Sequence, residues 1–189
     1  MSNYATENLR TLALVGHGSC GKTTLIEAML YRAGMIPEMG SIQRGTTMCD
    51  NDLLEKEVGH SIRLAVAHID TAMTDLTPVR IHILDTPGYP DYLGQDMSAL
   101  DAVKSVCAVI DPTKGPELLT RRLMAMAKER GLCRMIVINH MDDPEADLEN
   151  VCVNFRKPGD RGCCLLISRH ATVRMLLTVL TAKTATATS

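Results

Sequence analysis

The sequence lacks a strong charge of either sign: twenty Lys and Arg stand against twenty-two Asp and Glu, giving a formal net charge of −2 and a pI near 6.3. Without a basic field, neither non-specific nucleic-acid binding nor direct sequence-specific DNA binding is expected. No apolar run approaches the ~20 residues that cross a bilayer, and no basic N-terminal segment leads into a long apolar one. The expectation is a cytoplasmic protein without membrane contact. Seven cysteines occur without regular spacing, which argues against a disulfide framework and for free thiols in a reducing compartment. Cys152, Cys163, Cys164 and His170 likewise lack the paired spacing of a structural zinc site.

The chain does have length and apolar content for one domain with a real core: 189 residues, 46% hydrophobic. Charge is unevenly spread. Residues 1–150 hold 14 basic against 21 acidic residues, and residues 151–189 hold 6 against 1, so the two parts carry −7 and +5. The element pattern changes at the same place, giving a domain over 1–150 and an atypical basic tail over 151–189. That tail ends in a low-complexity Thr-Ala-Lys-Thr-Ala-Thr-Ala-Thr-Ser run.

Thr11 to Val15 is a short apolar run ending at a glycine-rich turn, and Leu25, Ile26, Met29 and Leu30 recur at helical spacing up to Ala33. This reads as strand, loop, helix. Gly34 and Pro37 stop the helix, and Glu38 to His60 is polar and glycine-punctuated, the pattern of a long functional loop. Ile62, Leu64 and Val66 alternate with Arg63 and Ala65, then Val79, Ile81 and Ile83 with Arg80 and His82, predicting two antiparallel strands. Helices are expected over 92–103 and 117–130, and buried strands over 105–110 and from Met135 to Ile138. Short apolar strands alternating with amphipathic helices give an α/β fold, a mostly parallel sheet covered on both faces.

Three motifs fall at the carboxyl ends of these strands. Gly16-His17-Gly18-Ser19-Cys20-Gly21-Lys22-Thr23 follows a strand and opens a helix. In such a G-x-x-x-x-G-K-[ST] run, backbone N–H groups converge on phosphates at the positive end of the helix, with Thr24 continuing its first turn. Lys22 would reach the β- and γ-phosphates, and the Thr23 hydroxyl would coordinate Mg²⁺. His17 and Cys20 are not needed as side chains for phosphate contact, and the thiol is read as passive. Asp85-Thr86-Pro87-Gly88 suits magnesium binding through water, with the Gly88 amide sensing a γ-phosphate. Asn139-His140-Met141-Asp142 sits where a nucleotide-binding sheet reads the base. The Asp142 carboxylate can accept two hydrogen bonds from guanine N1–H and its exocyclic amine, a donor pair adenine does not offer, which argues against an ATP-using phosphotransferase. Asp143 and Pro144 also fit the start of a helix after that turn.

Residues 10–142, about two-thirds of the chain, resemble the G domain of a translational GTPase of the elongation factor G-like branch. The matching residues are Arg10-Thr-Leu-Ala-Leu-Val-Gly-His-Gly18, Gly45-Thr-Thr-Met-Cys-Asp50, Asp85-Thr-Pro-Gly-Tyr-Pro-Asp91 and Asn139-His-Met-Asp142. The resemblance implies a P-loop GTPase three-layer sandwich, GTP or GDP with Mg²⁺ as ligands, and the ribosome as partner. Thr23, Asp85 and Ser61 would face the metal, Ser61 standing where relatives usually carry threonine. Lys22 and Tyr89 would serve catalysis. Tyr89 occupies the place of a histidine that aligns the attacking water, and a phenol, with a reference pKa of about 10, holds water without becoming cationic near neutral pH. His140 replaces a lysine whose stem packs over the base, a role that an imidazole partly fills by stacking.

Relatives of this branch continue far past residue 150, so the resemblance implies a domain incomplete on its C-terminal side and a tail that is an out-of-frame translation. A rival reading makes Thr181-Ala182-Lys183 the final base-contacting loop, after the apolar run Met175 to Leu180. For function, the expectation is GTP hydrolysis coupled to the ribosome. The alternatives are a nucleotide-binding module with little turnover, or a nonfunctional fragment of a decayed gene.

Overall fold

Strand β1 (Leu9–Val15) lies inside a six-stranded sheet ordered β2-β3-β1-β4-β5-β6. Its apolar residues run consecutively because both faces are covered. Leu12 and Leu14 enter one core, Ala13 and Val15 the other, and all four are fully buried. The computed structural model describes residues 4–49, 52–58, 60–72, 76–146 and 163–167.

A glycine-rich loop leads from β1 into helix α1 (Lys22–Arg32), and a short helix α2 (Leu53–Val58) interrupts the long loop that follows. Strands β2 (Ala65–Ala72) and β3 (Pro78–Asp85) form the antiparallel pair, with Pro78, which has no N–H to donate, at the first position of β3. One 3-10 turn leads into α3 (Leu93–Ala102). Strand β4 (Ser105–Ile110), α4 (Leu118–Glu129) and β5 (Cys133–Ile138) then continue the strand–helix alternation. Strands β1, β3, β4 and β5 are mutually parallel, so they end along one edge of the sheet.

The layers follow from side-chain direction. Leu25, Ile26, Met29 and Leu30 of α1 cover one face, in one cluster with Ile81 and Ile83 of β3. On the other, Ala99 and Leu100 of α3 and Leu119, Leu123, Met124 and Ala127 of α4 pack against Val106, Ala108, Ile136 and Ile138. This is the three-layer α/β sandwich that the pattern predicts.

Two features differ from the sequence reading. The alternation at Ile62, Leu64 and Val66 suggested a strand beginning there, but β2 begins at Ala65. Side chains take the backbone groups that a ladder would have used. Glu55 Oε1 accepts from the amides of Ile62 and Arg63, both at 2.9 Å, and Gln95 Oε1 accepts from the Leu64 amide at 2.6 Å while its Nε2 donates to the Ile62 carbonyl at 3.0 Å. The second difference is β6 (Cys163–Ile167), which pairs in parallel with β5 on the side where the sheet was expected to be incomplete. No helix follows β5 among the described residues. Asp50, Cys152, His170 and the Thr181-Ala182-Lys183 loop lie outside them. None of the described helices is long and apolar enough to cross a membrane.

Truncating a core residue of β1 tests this packing. Leu12→Ala is expected to cost about 2–5 kcal/mol in urea unfolding, whereas Leu118→Ala, at a side chain 83% exposed, should stay within about 0.5 kcal/mol of the parent.

Candidate functional site at the carboxyl edge of the sheet

Between β1 and α1 the chain must turn sharply while pointing amides into one concavity, and three residues adopt positive φ to do so: Gly16 at +149°, Ser19 at +63° and Gly21 at +91°. Gly21 is the N-cap of α1, and its lack of a side chain is also steric. A Cβ there would collide with the Asn139 amide, whose Nδ2 donates to the Cys20 carbonyl at 3.0 Å. The loop after β5 is thereby tied to the loop after β1. At Gly88, φ is +79°, and a Cβ would run into the Gly16 carbonyl and the Lys22 ammonium. Gly18 is covered by the Tyr89 ring so closely that a Cβ would fall 2.5 Å from the phenol oxygen. Glycine at these positions lets three loops meet.

The meeting point is polar and buried. Lys22, 5% exposed, donates through Nζ to the carbonyls of Gly16 at 3.1 Å and His17 at 3.0 Å. Thr23 Oγ1 donates to Asp85 Oδ2 at 2.6 Å and lies 3.3 Å from Ser61 Oγ. Thr86 Oγ1 donates to the Leu14 carbonyl at 2.9 Å, fastening the segment after β3 to β1. A cavity of about 290 Å³ opens over this cluster, and Lys22, Thr23, His60, Ser61, Tyr89 and His140 are on its wall. Thr24 contributes from the exposed side of α1, while Gly16, Gly18 and Cys20 are buried in the loop and do not line this cavity. Asp142 is exposed on the loop after β5 and does not line this cavity.

Two hydroxyls and a carboxylate form a donor set of hard oxygen atoms, which fits Mg²⁺ and would suit a soft metal poorly. Burial pushes the Cys20 thiol up, against the lowering pull of Lys22, so it is a thiol rather than a reactive thiolate, in keeping with its passive reading.

His140, at φ +50°, places Nδ1 3.2 Å from Asp111 Oδ2. Burial alone would raise the Asp111 carboxyl, but hydrogen bonds from the Thr113 hydroxyl and amide and from the His140 ring outweigh it, and the carboxyl lies below its ordinary range. His17 is held on both sides, Nδ1 at 2.9 Å from the Gly18 carbonyl and Nε2 at 3.0 Å from Glu117 Oε2.

Several contributors were not singled out from the sequence. Glu27, fully buried on α1, accepts from the Gly40 amide at 2.9 Å and the Met48 amide at 2.5 Å, anchoring the long loop. Its signal was a charged residue on the apolar face of α1, one turn after Thr23. Glu55 and Gln95 hold the segment just after Ser61. Asp96, fully buried on α3, makes no hydrogen bond of normal length among the described residues. Burial raises its carboxyl above the ordinary 3.8, opposed by the Thr86 hydroxyl, Lys22 and the Gly88 amide.

A carboxyl raised on folding stabilises the fold most at low pH. As pH climbs through the ordinary aspartate value the unfolded chain ionises first, and stability falls until the folded value is passed. Asp96→Asn should therefore match the parent near pH ~4 and exceed it near pH ~7 in urea midpoint. Equal midpoints at both would contradict this assignment.

Comparison with known proteins agrees with the geometry. Residues 7–159 match the model of the elongation factor Tu GTP binding domain. The tetracycline resistance protein TetM of transposon Tn1545 from Enterococcus faecalis is 34% identical over 146 residues, 77% of this chain and 22% of that protein. Mitochondrial ribosome-releasing factor 2 of Drosophila melanogaster is 35% identical over 152 residues, 80% of this chain and 20% of its own. A crystal structure of a protein from Thermus thermophilus superposes with a TM-score of 0.69 at 34% identity, covering 78% of this chain and 22% of that one. The chain thus spans about a fifth of the length of the curated relatives it matches. A bacterial selenocysteine-specific elongation factor, at 21% identity and a TM-score of 0.66, shares the fold. The family match over most of the described core, on a sheet whose loops converge as described, makes this chain a member of the elongation factor Tu GTP-binding domain family, on its elongation factor G-like side.

Proposed function

We propose that the chain binds GTP and GDP with Mg²⁺ at the carboxyl edge of the sheet and hydrolyses GTP as the G domain of a cytoplasmic translation factor acting on the ribosome. The observation that carries this reading is the cluster of Thr23 Oγ1, Asp85 Oδ2 and Ser61 Oγ beside the Lys22 ammonium under one cavity. The amides from Gly16 to Thr24 would cradle the phosphates, and Lys22 would leave its two carbonyl partners for the β- and γ-oxygens. Thr23, Ser61 and Asp85 would hold Mg²⁺, which screens charge on the phosphates when bound. Gly88, at positive φ next to Lys22, would present its amide to the terminal phosphate. Asn139 and Asp142 would face the base, and His140, on the cavity wall, would stack against it.

Support for the ribosome comes from the relatives, one of them a ribosome-releasing factor by name. Turnover of GTP with and without ribosomes tests that part directly.

Binding is tested by titration with a fluorescent GDP analogue, competed with GTP, GDP and ATP. Displacement by the guanine nucleotides and not by ATP is expected; displacement by ATP at equal concentration would overturn the guanine assignment. Asp142→Ala should weaken GDP binding by about 10- to 100-fold, the effect of about 1.5–3 kcal/mol for a hydrogen bond to a charged group, while leaving the unfolding midpoint unchanged.

A further inference from the structure

Tyr89 stands at the mouth of the nucleotide cavity between two imidazoles, its ring centroid 4.6 Å from that of His60 and 6.1 Å from that of His17. The phenol lies against Gly18, on the P-loop side. His17 has both ring nitrogens engaged, with the Gly18 carbonyl and with Glu117. His60 does not. Its Nδ1 lies 3.4 Å from the Ser61 carbonyl, and among the described residues no hydrogen bond is made by Nε2. A carbonyl oxygen only accepts, so Nδ1 carries the hydrogen in that contact, and the lone pair of the neutral ring is then on Nε2.

The placement of His60 is fixed from three directions. Tyr89 packs on its ring at an interplanar angle of 42°. The next residue, Ser61, is buried with its hydroxyl 3.3 Å from Thr23 Oγ1. Immediately beyond, Glu55 and Gln95 hold the backbone of residues 62–64. The other imidazole on the cavity wall, His140, belongs to the loop after β5, beside Gly21 and with Nδ1 near Asp111. His60 thus brings to the cavity an imidazole nitrogen with no other commitment among the described residues, on the side where Ser61, Thr23 and Lys22 converge.

We infer that His60, rather than Tyr89 as the sequence suggested, is the group that holds the attacking water during GTP hydrolysis, with Tyr89 as the platform that orients its ring. The inference rests on the nucleotide reading above. Nε2 accepts a hydrogen bond from the water. The water oxygen bonds to the terminal phosphorus, the bond from that phosphorus to the bridging oxygen breaks with its electron pair staying on GDP, and the water's hydrogens leave with the inorganic phosphate. An acceptor that fixes a water in line is worth roughly 10²-fold or more in rate where it has been removed from other sites.

The test compares wild type, His60→Leu and His60→Gln in single-turnover GTP hydrolysis, with and without ribosomes, and in GDP affinity on the same samples. Glutamine keeps an acceptor and a donor and positions water in other GTPases, whereas leucine keeps only bulk. Hydrolysis by His60→Leu should fall roughly 10²-fold or more, with GDP affinity falling far less. His60→Gln should recover most of the lost rate, which a merely structural role for the ring would not produce. Hydrolysis by His60→Leu at the wild-type rate would overturn the inference, as would a glutamine variant no faster than the leucine one. A wild type that binds GDP but hydrolyses no GTP under either condition would overturn it as well. Failure of the wild type to bind GDP would instead overturn the nucleotide reading itself.

Discussion

The 2.6 Å hydrogen bond from Thr23 Oγ1 to Asp85 Oδ2 joins the first turn of α1 to the last residue of β3, and the rest of the site is arranged around it. It exists because β1 and β3 run parallel in a register that sets Leu14 against Asp85, so the two strands end together. It also requires Gly21 at φ +91°, because α1 must start abruptly enough to aim Thr23 at the end of β3. A net hydrogen bond within a folded protein is worth about 0.5–1.5 kcal/mol, and leaving one buried partner unpaired costs about 1–3 kcal/mol. The Thr86 hydroxyl on the Leu14 carbonyl reinforces the same junction from the other strand. Around this junction Lys22, Ser61 and Gly88 come together, with Gly88 at φ +79°.

Side-chain carboxylates and one amide, rather than strand ladders, hold the long loop between α1 and β2. Glu27 fastens its first half to α1, Glu55 fastens its end to α2, and Gln95 ties that end to α3. Such contacts are local and can be exchanged, whereas a ladder opens only as a unit. Gln95 sits on the helix after the Asp85-Thr86-Pro87-Gly88 turn, so its bonds to the Ile62 carbonyl and the Leu64 amide tie the segment after Ser61 to that helix.

The elements legible in the sequence were those set by local rules. Uninterrupted apolar runs marked β1, β4 and β5 because a parallel strand buried on both faces has no polar positions. The spacing of Leu25, Ile26, Met29 and Leu30 marked α1, and the glycines at 16, 18 and 21 marked a turn that only particular φ values and close approach allow. The start of β2 was misplaced because Ile62 and Leu64 do alternate, and their amides are claimed by Glu55 and Gln95, the latter more than thirty residues away. Asp96 was silent for a similar reason: an acidic residue in the first turn of a helix ordinarily reads as exposed, and only the tertiary packing buries it. The strand at Cys163–Ile167 fell in a segment read as having lost the pattern, and its place depends on β5 offering an edge.

The central claim is that Thr23, Ser61 and Asp85 form one oxygen-donor site for Mg²⁺ bound with a guanine nucleotide. Calorimetric titration of GDP into wild type and Thr23→Ala, each with Mg²⁺ and with the metal chelated, measures it most directly. The account predicts that Mg²⁺ tightens GDP binding to the wild type and that Thr23→Ala loses most of this gain while still binding metal-free GDP. Binding by the wild type that is indifferent to Mg²⁺, or a full gain retained by Thr23→Ala, would contradict it.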